Sequence, residues 1–200
     1  MSEAGDAGAE GPEEQQAGLD TEGQRVGFDL EGLYVGFDTS GSSGSVAVAR
    51  GAHVLARVTL GERGEHAARL VPAIADVLEE ASIDRGELSG VVVGEGPGSF
   101  TGVRVAAATA KGLARALDRP MWAISSLAAA ALSVEGSGIR YVLFDARGDR
   151  VYGACYGIGS IGPVSPVGIE TLLPPHGGTL RNVLDGAVPA GAVFLGESAD

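Results

Sequence analysis

The chain has 200 residues, 44% of them hydrophobic, and a formal charge of −12, which suits one modest domain or two small lobes sharing a cleft. That charge argues against the chain gripping a nucleic-acid backbone by itself, because such a grip comes from clustered Lys and Arg. No run of about 18 apolar residues and no basic, then apolar, leader is present, and Cys155 is the single cysteine; together these predict a cytoplasmic protein with no membrane span.

Met1 to Gly32 holds nine of the 26 acidic residues and only Arg25 of the 14 basic ones. Rich in Gly, Ala, Glu and Gln and without apolar periodicity, residues 1–32 read as a disordered acidic tail. The first lobe, residues 33–136, opens with LYVGFD, Leu33 to Asp38, an apolar run of strand length ending at a carboxylate. TSGSSG then predicts a turn, Ser45–Ala49 a second strand, Gly51 and Ala52 a tight reversal, and His53–Leu60 a third strand, giving an antiparallel meander. Ala67, Leu70, Val71, Ile74, Val77, Leu78 and Ala81 recur at helical spacing and predict a helix from about His66 to Ile83, with Pro72 a candidate kink. GVVVGE, Gly90 to Glu95, suits a strand covered on both faces. After GPGSFTG, Gly96 to Gly102, the Ala-rich stretch Val103 to Leu117 predicts a second helix. A short strand, Met121–Ile124, and a helix, Ser126–Val134, complete the lobe.

The second lobe, residues 137–200, repeats the opening: Phe144 and Asp145 echo Phe37 and Asp38, each pair followed by a turn and an alternating strand that here contains Cys155 as a core residue. A strand at Gly168–Leu172, a helix at Thr179–Leu184 and a strand at Ala192–Leu195 continue the order. The fold class is therefore α/β, a two-lobed actin, sugar kinase and heat-shock ATPase type with duplicated βββαβα units, its second copy incomplete at Asp200.

In that architecture an acidic residue closing the first strand orders magnesium-bound water and the hairpin beside it meets phosphate. Asp38, Thr39, Ser40 and Gly41 occupy that place as a degenerate phosphate loop, although Asp38 also suits a local turn cap. Gly96, Pro97, Gly98, Ser99, Phe100, Thr101 and Gly102 put glycines and hydroxyls at a helix start. They lack a P-loop ending, and a tight turn against a neighbouring backbone is the simpler role. There is no Gly-x-Ser-x-Gly elbow. Leu70 stands where His66 would need a metal-binding partner, so no metal site is expected, and His66 reads as a helix-start contact with Glu65. Asp145 and Asp149 sit in an ARGD turn with Arg147. No catalytic residue emerges.

The segments FDTSGSSGSVAVA, GEHAARLVPAIADVL, GEGPGSFTGVRVAAATAKGLA, PMWAISSLAAAA and FDARGDRVYGACY resemble the TsaB, or YeaZ, family in the same order, from about Tyr34 to Tyr156. The resemblance implies a subunit without catalysis of its own, which pairs with the TsaD threonylcarbamoyl transferase in modifying the tRNA adenosine next to the anticodon. It also implies a possible TsaE-like ATPase in the assembly, a possible homodimer, tRNA contact only through the complex, and no cofactor of its own, with ATP or ADP possible at the partner interface. The implied pairing helices carry Ala68, Arg69, Pro72, Val103, Arg104, Ala107, Ala110 and Lys111, and small residues on the second helix permit close approach. The alternative from the residues is a magnesium-dependent ATPase or small-molecule kinase of the same superfamily.

Overall fold

Two sheets organise the computed structural model, which describes residues 18–196 apart from 21, 63, 162–164 and 186–187. In β3 (Leu33–Asp38) the period of two sends Leu33, Val35 and Phe37 to one face. β4 (Ser43–Arg50) and β5 (His53–Glu62) fold back from it as the expected meander. On the other side of β3, β6 (Gly90–Gly94) and β7 (Met121–Ile124) add in parallel. The helices between them, α1 (His66–Glu80) and α2 (Phe100–Leu117), lie side by side on the face that Val35 and Phe37 share. Leu70, Ile74 and Val77 of α1 and Ala106, Ala110 and Ala114 of α2 close that core over Val46, Val48, Val91 and Val93. Each fully buried aliphatic side chain there contributes about 1.5–3 kcal/mol.

The duplication read from the two Phe-Asp pairs is visible in the strand order. β8 (Gly138–Asp145) is flanked by antiparallel β9 (Arg150–Ile161) and parallel β11 (Val193–Gly196), as β3 is flanked by β4 and β6. β10 (Ser165–Thr179) closes the second sheet beyond β9. One face of this sheet packs on α3 (Ser126–Leu132) through Leu127, Val142, Ala154 and Tyr156. The opposite face holds Tyr141, Leu143 and Cys155 against Val183 of α4 (Leu180–Asp185).

Burial raises the Cys155 thiol above its ordinary pKa, partly offset by a backbone hydrogen bond at Tyr156. Tyr141 is raised too, first by burial and then by its proximity to Cys155. The folded state thus holds these protons longer than the unfolded chain, so their contribution is intact below the ordinary thiol value and is lost as pH rises through the folded one. We expect native protein at about pH 8 to resist thiol labelling and to react once denatured; rapid labelling of the native form would contradict the burial of Cys155.

Three expectations are corrected. The acidic tail is not uniformly unstructured, because β1 (Gly18–Leu19) and β2 (Arg25–Val26) extend the first sheet beyond β7, in the order β2-β1-β7-β6-β3-β4-β5; residues 1–17 lie outside the described residues. The cause is aromatic: Tyr34 and Trp122 need cover, and Phe28 stacks on Tyr34 with ring centroids 4.3 Å apart and meets Trp122 edge-on at 5.1 Å. Secondly, β10 runs well past the predicted Gly168–Leu172. Pro174 and Pro175 break the sequence period, but an edge strand with register shifts on either side of Leu173 accommodates them. Thirdly, α2 begins three residues before Val103, since Ser99 caps it by accepting from the Gly102 amide at 3.3 Å; α1 starts at His66 as expected and carries Pro72 within its span.

Candidate functional site

The Asp38–Gly41 turn and the Gly96–Gly102 loop, which start 58 residues apart in sequence, are fastened together at the carboxyl ends of β3 and β6. Asp38 Oδ1 accepts from the Ser40 amide at 2.7 Å, which makes the carboxylate the local cap that its position also suited. Thr39 is fully buried and donates to the Gly102 carbonyl at 2.7 Å. The Ser99 amide donates to the Ser40 carbonyl at 2.7 Å. Ser126, at the start of α3, completes the joint: its Oγ accepts from Ser40 Oγ and from the Gly96 amide, both at 3.0 Å. The loop glycines follow from this closeness. A Cβ on Gly98 would stand 2.4 Å from the Ser40 carbonyl oxygen, and one on Gly102 would stand 1.9 Å from that of Thr39.

An open cleft of about 560 Å³ lies beside the joint, lined by Asp38, Ser40, Ser43 and Ser45 from the first sheet, Ser126 and Ser133 around α3, and Phe144 from the second. The expected phosphate loop fits a nucleotide poorly at the hairpin, because the hydroxyls of Thr39 and Ser40 and the Ser40 amide already have partners within the protein. Among the described residues, no three His, Cys, Asp or Glu side chains converge to hold a metal ion, and no helix is long and apolar enough to cross a membrane.

His66 does stand at the start of α1, but its hydrogen-bond partners are in the β4–β5 hairpin rather than at Glu65. It is 2% exposed, with Nε2 3.1 Å from the Gly44 amide and 3.0 Å from the Gly61 carbonyl oxygen. The tautomer decides whether it accepts from the first or donates to the second, and either bond ties the start of α1 to the β4–β5 hairpin. In the ARGD turn, Asp145 Oδ1 accepts from the Arg147 amide at 2.8 Å. The turn faces the Gly98–Thr101 stretch across a smaller cavity of about 250 Å³.

The residues predicted to form a partner face divide by burial. Ala68, Arg69 and Pro72 on α1 and Arg104 and Lys111 on α2 are exposed, while Val103 and Ala107 are half-buried. Ala110 is corrected: it is wholly inside the core against the sheet, because Ala106, Ala110 and Ala114, four residues apart, form the inward stripe of α2. Two large side chains that the sequence had placed elsewhere join the outer face. Val71, read as part of the inward stripe, is 62% exposed, and Phe100 is 75% exposed with the Arg104 guanidinium 5.2 Å over its ring. Val71 was legible in the helical wheel: it follows Leu70 directly, and neighbours point about 100° apart, too wide for both to face one sheet. Ser126 had no comparable signal, since its partners are contributed by residues 30 and 86 positions away.

A family model described as TsaD, tRNA N6-adenosine threonylcarbamoyltransferase, matches residues 53–160. The tRNA threonylcarbamoyladenosine biosynthesis protein TsaB of Bacillus subtilis is 38% identical over 112 residues, 56% of this chain and 49% of that protein. The chain spans about half the length of the curated relatives it matches. Among solved structures, YeaZ from Pseudomonas aeruginosa is 30% identical, covering 80% of this chain and 72% of its own, with a TM-score of 0.67. A second Pseudomonas aeruginosa structure, described by its similarity to peptidase YeaZ, is 31% identical over 82% of this chain and 74% of its own, with a TM-score of 0.68.

Proposed function

Because the chain belongs to the TsaB (YeaZ) family and carries a TsaD-type domain over residues 53–160, we propose that it serves tRNA threonylcarbamoyladenosine biosynthesis as a non-catalytic subunit that docks on a TsaD-like transferase. The observation that carries this reading is the outer face of the α1–α2 pair. Ala68, Val71, Pro72 and Ala75 lie at spacings of three, one and three residues on the solvent side of α1, all exposed, and form an apolar row that the chain's own core leaves uncovered. Beside it, α2 presents small residues flanked by Arg104 and Lys111, an apolar centre with a charged rim. In this reading the transferase holds the tRNA, consistent with the acidity of this chain, and the work is cytoplasmic. A TsaE-like ATPase would join the same assembly, ATP or ADP would sit between subunits rather than in the Asp38 hairpin, and a homodimer would use the same face when the partner is absent.

The test is titration calorimetry and size-exclusion chromatography with the purified TsaD-like protein. We expect a complex at micromolar concentrations, and Val71→Glu should weaken it at least about tenfold by burying an unpaired charge at its centre. Val71 is exposed in the free chain, so the melting temperature should stay nearly constant. No association of the native chain, or full association of the variant, would refute the docking face.

A further inference from the structure

The open cleft between the two sheets holds a hydroxyl proton that the protein does not use. Ser126 Oγ accepts from the Gly96 amide and meets Ser40 Oγ, both at 3.0 Å, and the two side chains are 2% and 1% exposed. One bond between two hydroxyls consumes one of their two protons. With Ser40 donating, the proton of Ser126 has no acceptor among the described residues; with the roles exchanged, that of Ser40 has none. Both side chains line the cleft, which is the direction from which an acceptor can reach that proton.

The rest of the wall selects the molecule that would carry the acceptor. Asp38 is half-buried; its Oδ1 holds the Ser40 amide at 2.7 Å, and its Oδ2 lies over Gly94, where a Cβ would stand only 2.1 Å away. Among the described residues lining the cleft none is Lys, Arg or His, so a phosphate or carboxylate ligand would meet the Asp38 charge with no cation to receive it. Ser43 and Ser45 add two exposed hydroxyls, and the half-buried Phe144 adds an apolar wall. A carboxylate holds an ammonium through a charge-assisted hydrogen bond. Serine hydroxyls, which both donate and accept, match further hydroxyls, and an aromatic side chain suits the C–H face of a small ring.

We propose that this cleft binds a small protonated amino polyol, its ammonium on Asp38 and one of its oxygens accepting the spare proton of the Ser40–Ser126 pair. The volume of about 560 Å³ leaves room for a molecule of monosaccharide size. Ala68, Val71, Pro72, Arg104 and Lys111 of the α1–α2 outer face do not line it, so the site stands whether or not that face docks a partner.

Glucosamine is the probe, with glucose as its uncharged analogue and inorganic phosphate as the anion, each titrated into the full chain below neutral pH and followed by amide NMR. Glucosamine should bind with a dissociation constant on the order of 1 mM, shifting the amides of Ser40, Gly96 and Ser126 together. Glucose should bind at least about tenfold more weakly, and phosphate should leave those amides unmoved. Asp38→Asn keeps the oxygen that accepts from the Ser40 amide and should lower glucosamine affinity at least about tenfold. Ser43→Arg, at an exposed position, sets a cation in the cleft and should block the ligand without lowering the melting temperature. Equal affinity for glucosamine and glucose, or unchanged binding in both variants, overturns the proposal. So do shifts confined to carboxylates outside the cleft, or no binding at about 10 mM.

Discussion

Gly102→Ala is expected to destabilise the protein by about 3–5 kcal/mol, the largest effect of any single methyl group in the first lobe. The added Cβ would stand 1.9 Å from the Thr39 carbonyl oxygen and 2.8 Å from its carbon. Both are backbone atoms that no rotamer change can move aside. Nor is the turn free to retreat, because Thr39 donates to the Gly102 carbonyl and the Ser40 carbonyl accepts from Ser99, both at 2.7 Å. Separating the two segments therefore adds a buried hydroxyl and carbonyl without partners to the cost of the overlap itself. Gly112→Ala supplies the control within the same helix: a Cβ there meets nothing within 4 Å, and the gain in helix propensity should stabilise by up to about 1 kcal/mol. Urea unfolding of the two variants measures the contrast. A Gly102→Ala loss below about 1 kcal/mol would mean that the joint is loose.

Ala110→Glu should prevent stable folding at ordinary temperature, whereas Ala108→Glu should leave stability almost unchanged. Ala110 is fully buried among the core residues of the first lobe, with no cation among them to receive a carboxylate. An unpaired charge there must either ionise in an apolar interior or bind a proton far from its usual pKa, and the larger side chain overpacks the core besides. The combined cost of about 4 kcal/mol or more is a large share of the 5–15 kcal/mol that holds a typical domain. Ala108 is exposed, so its substitution meets water. Circular dichroism melts decide the matter, and a cooperative, native-like transition in Ala110→Glu would show that α2 can rotate away from the sheet.

These outcomes mark where sequence reading succeeds. The period of two in LYVGFD, the unbroken GVVVG and the three-to-four spacing of Leu70, Ile74 and Val77 each act through local geometry and burial, and each produced the element it predicts. The interface set fared less evenly, because small residues surround α2 and a stripe of alanines has the same composition whichever side it faces. Only the packing shows that Ala106, Ala110 and Ala114 look inward while Ala108 looks out. The phosphate-loop residues posed the same difficulty: an Asp-Thr-Ser-Gly turn reads identically whether its hydroxyls await a ligand or are already bonded.

By itself the sequence determined the two-lobed α/β order, the repeated Phe-Asp strand endings and the family, because these rest on periodicity and on motifs contiguous in the chain. The tertiary structure alone decided that Thr39 and Ser40 are committed to Gly102 and Ser126, that Phe28 shelters Tyr34 and Trp122, and that Val71 is left facing solvent. Those facts depend on pairs of residues far apart in sequence, whose meeting is fixed by the stacking of strands and helices and leaves no trace in local composition.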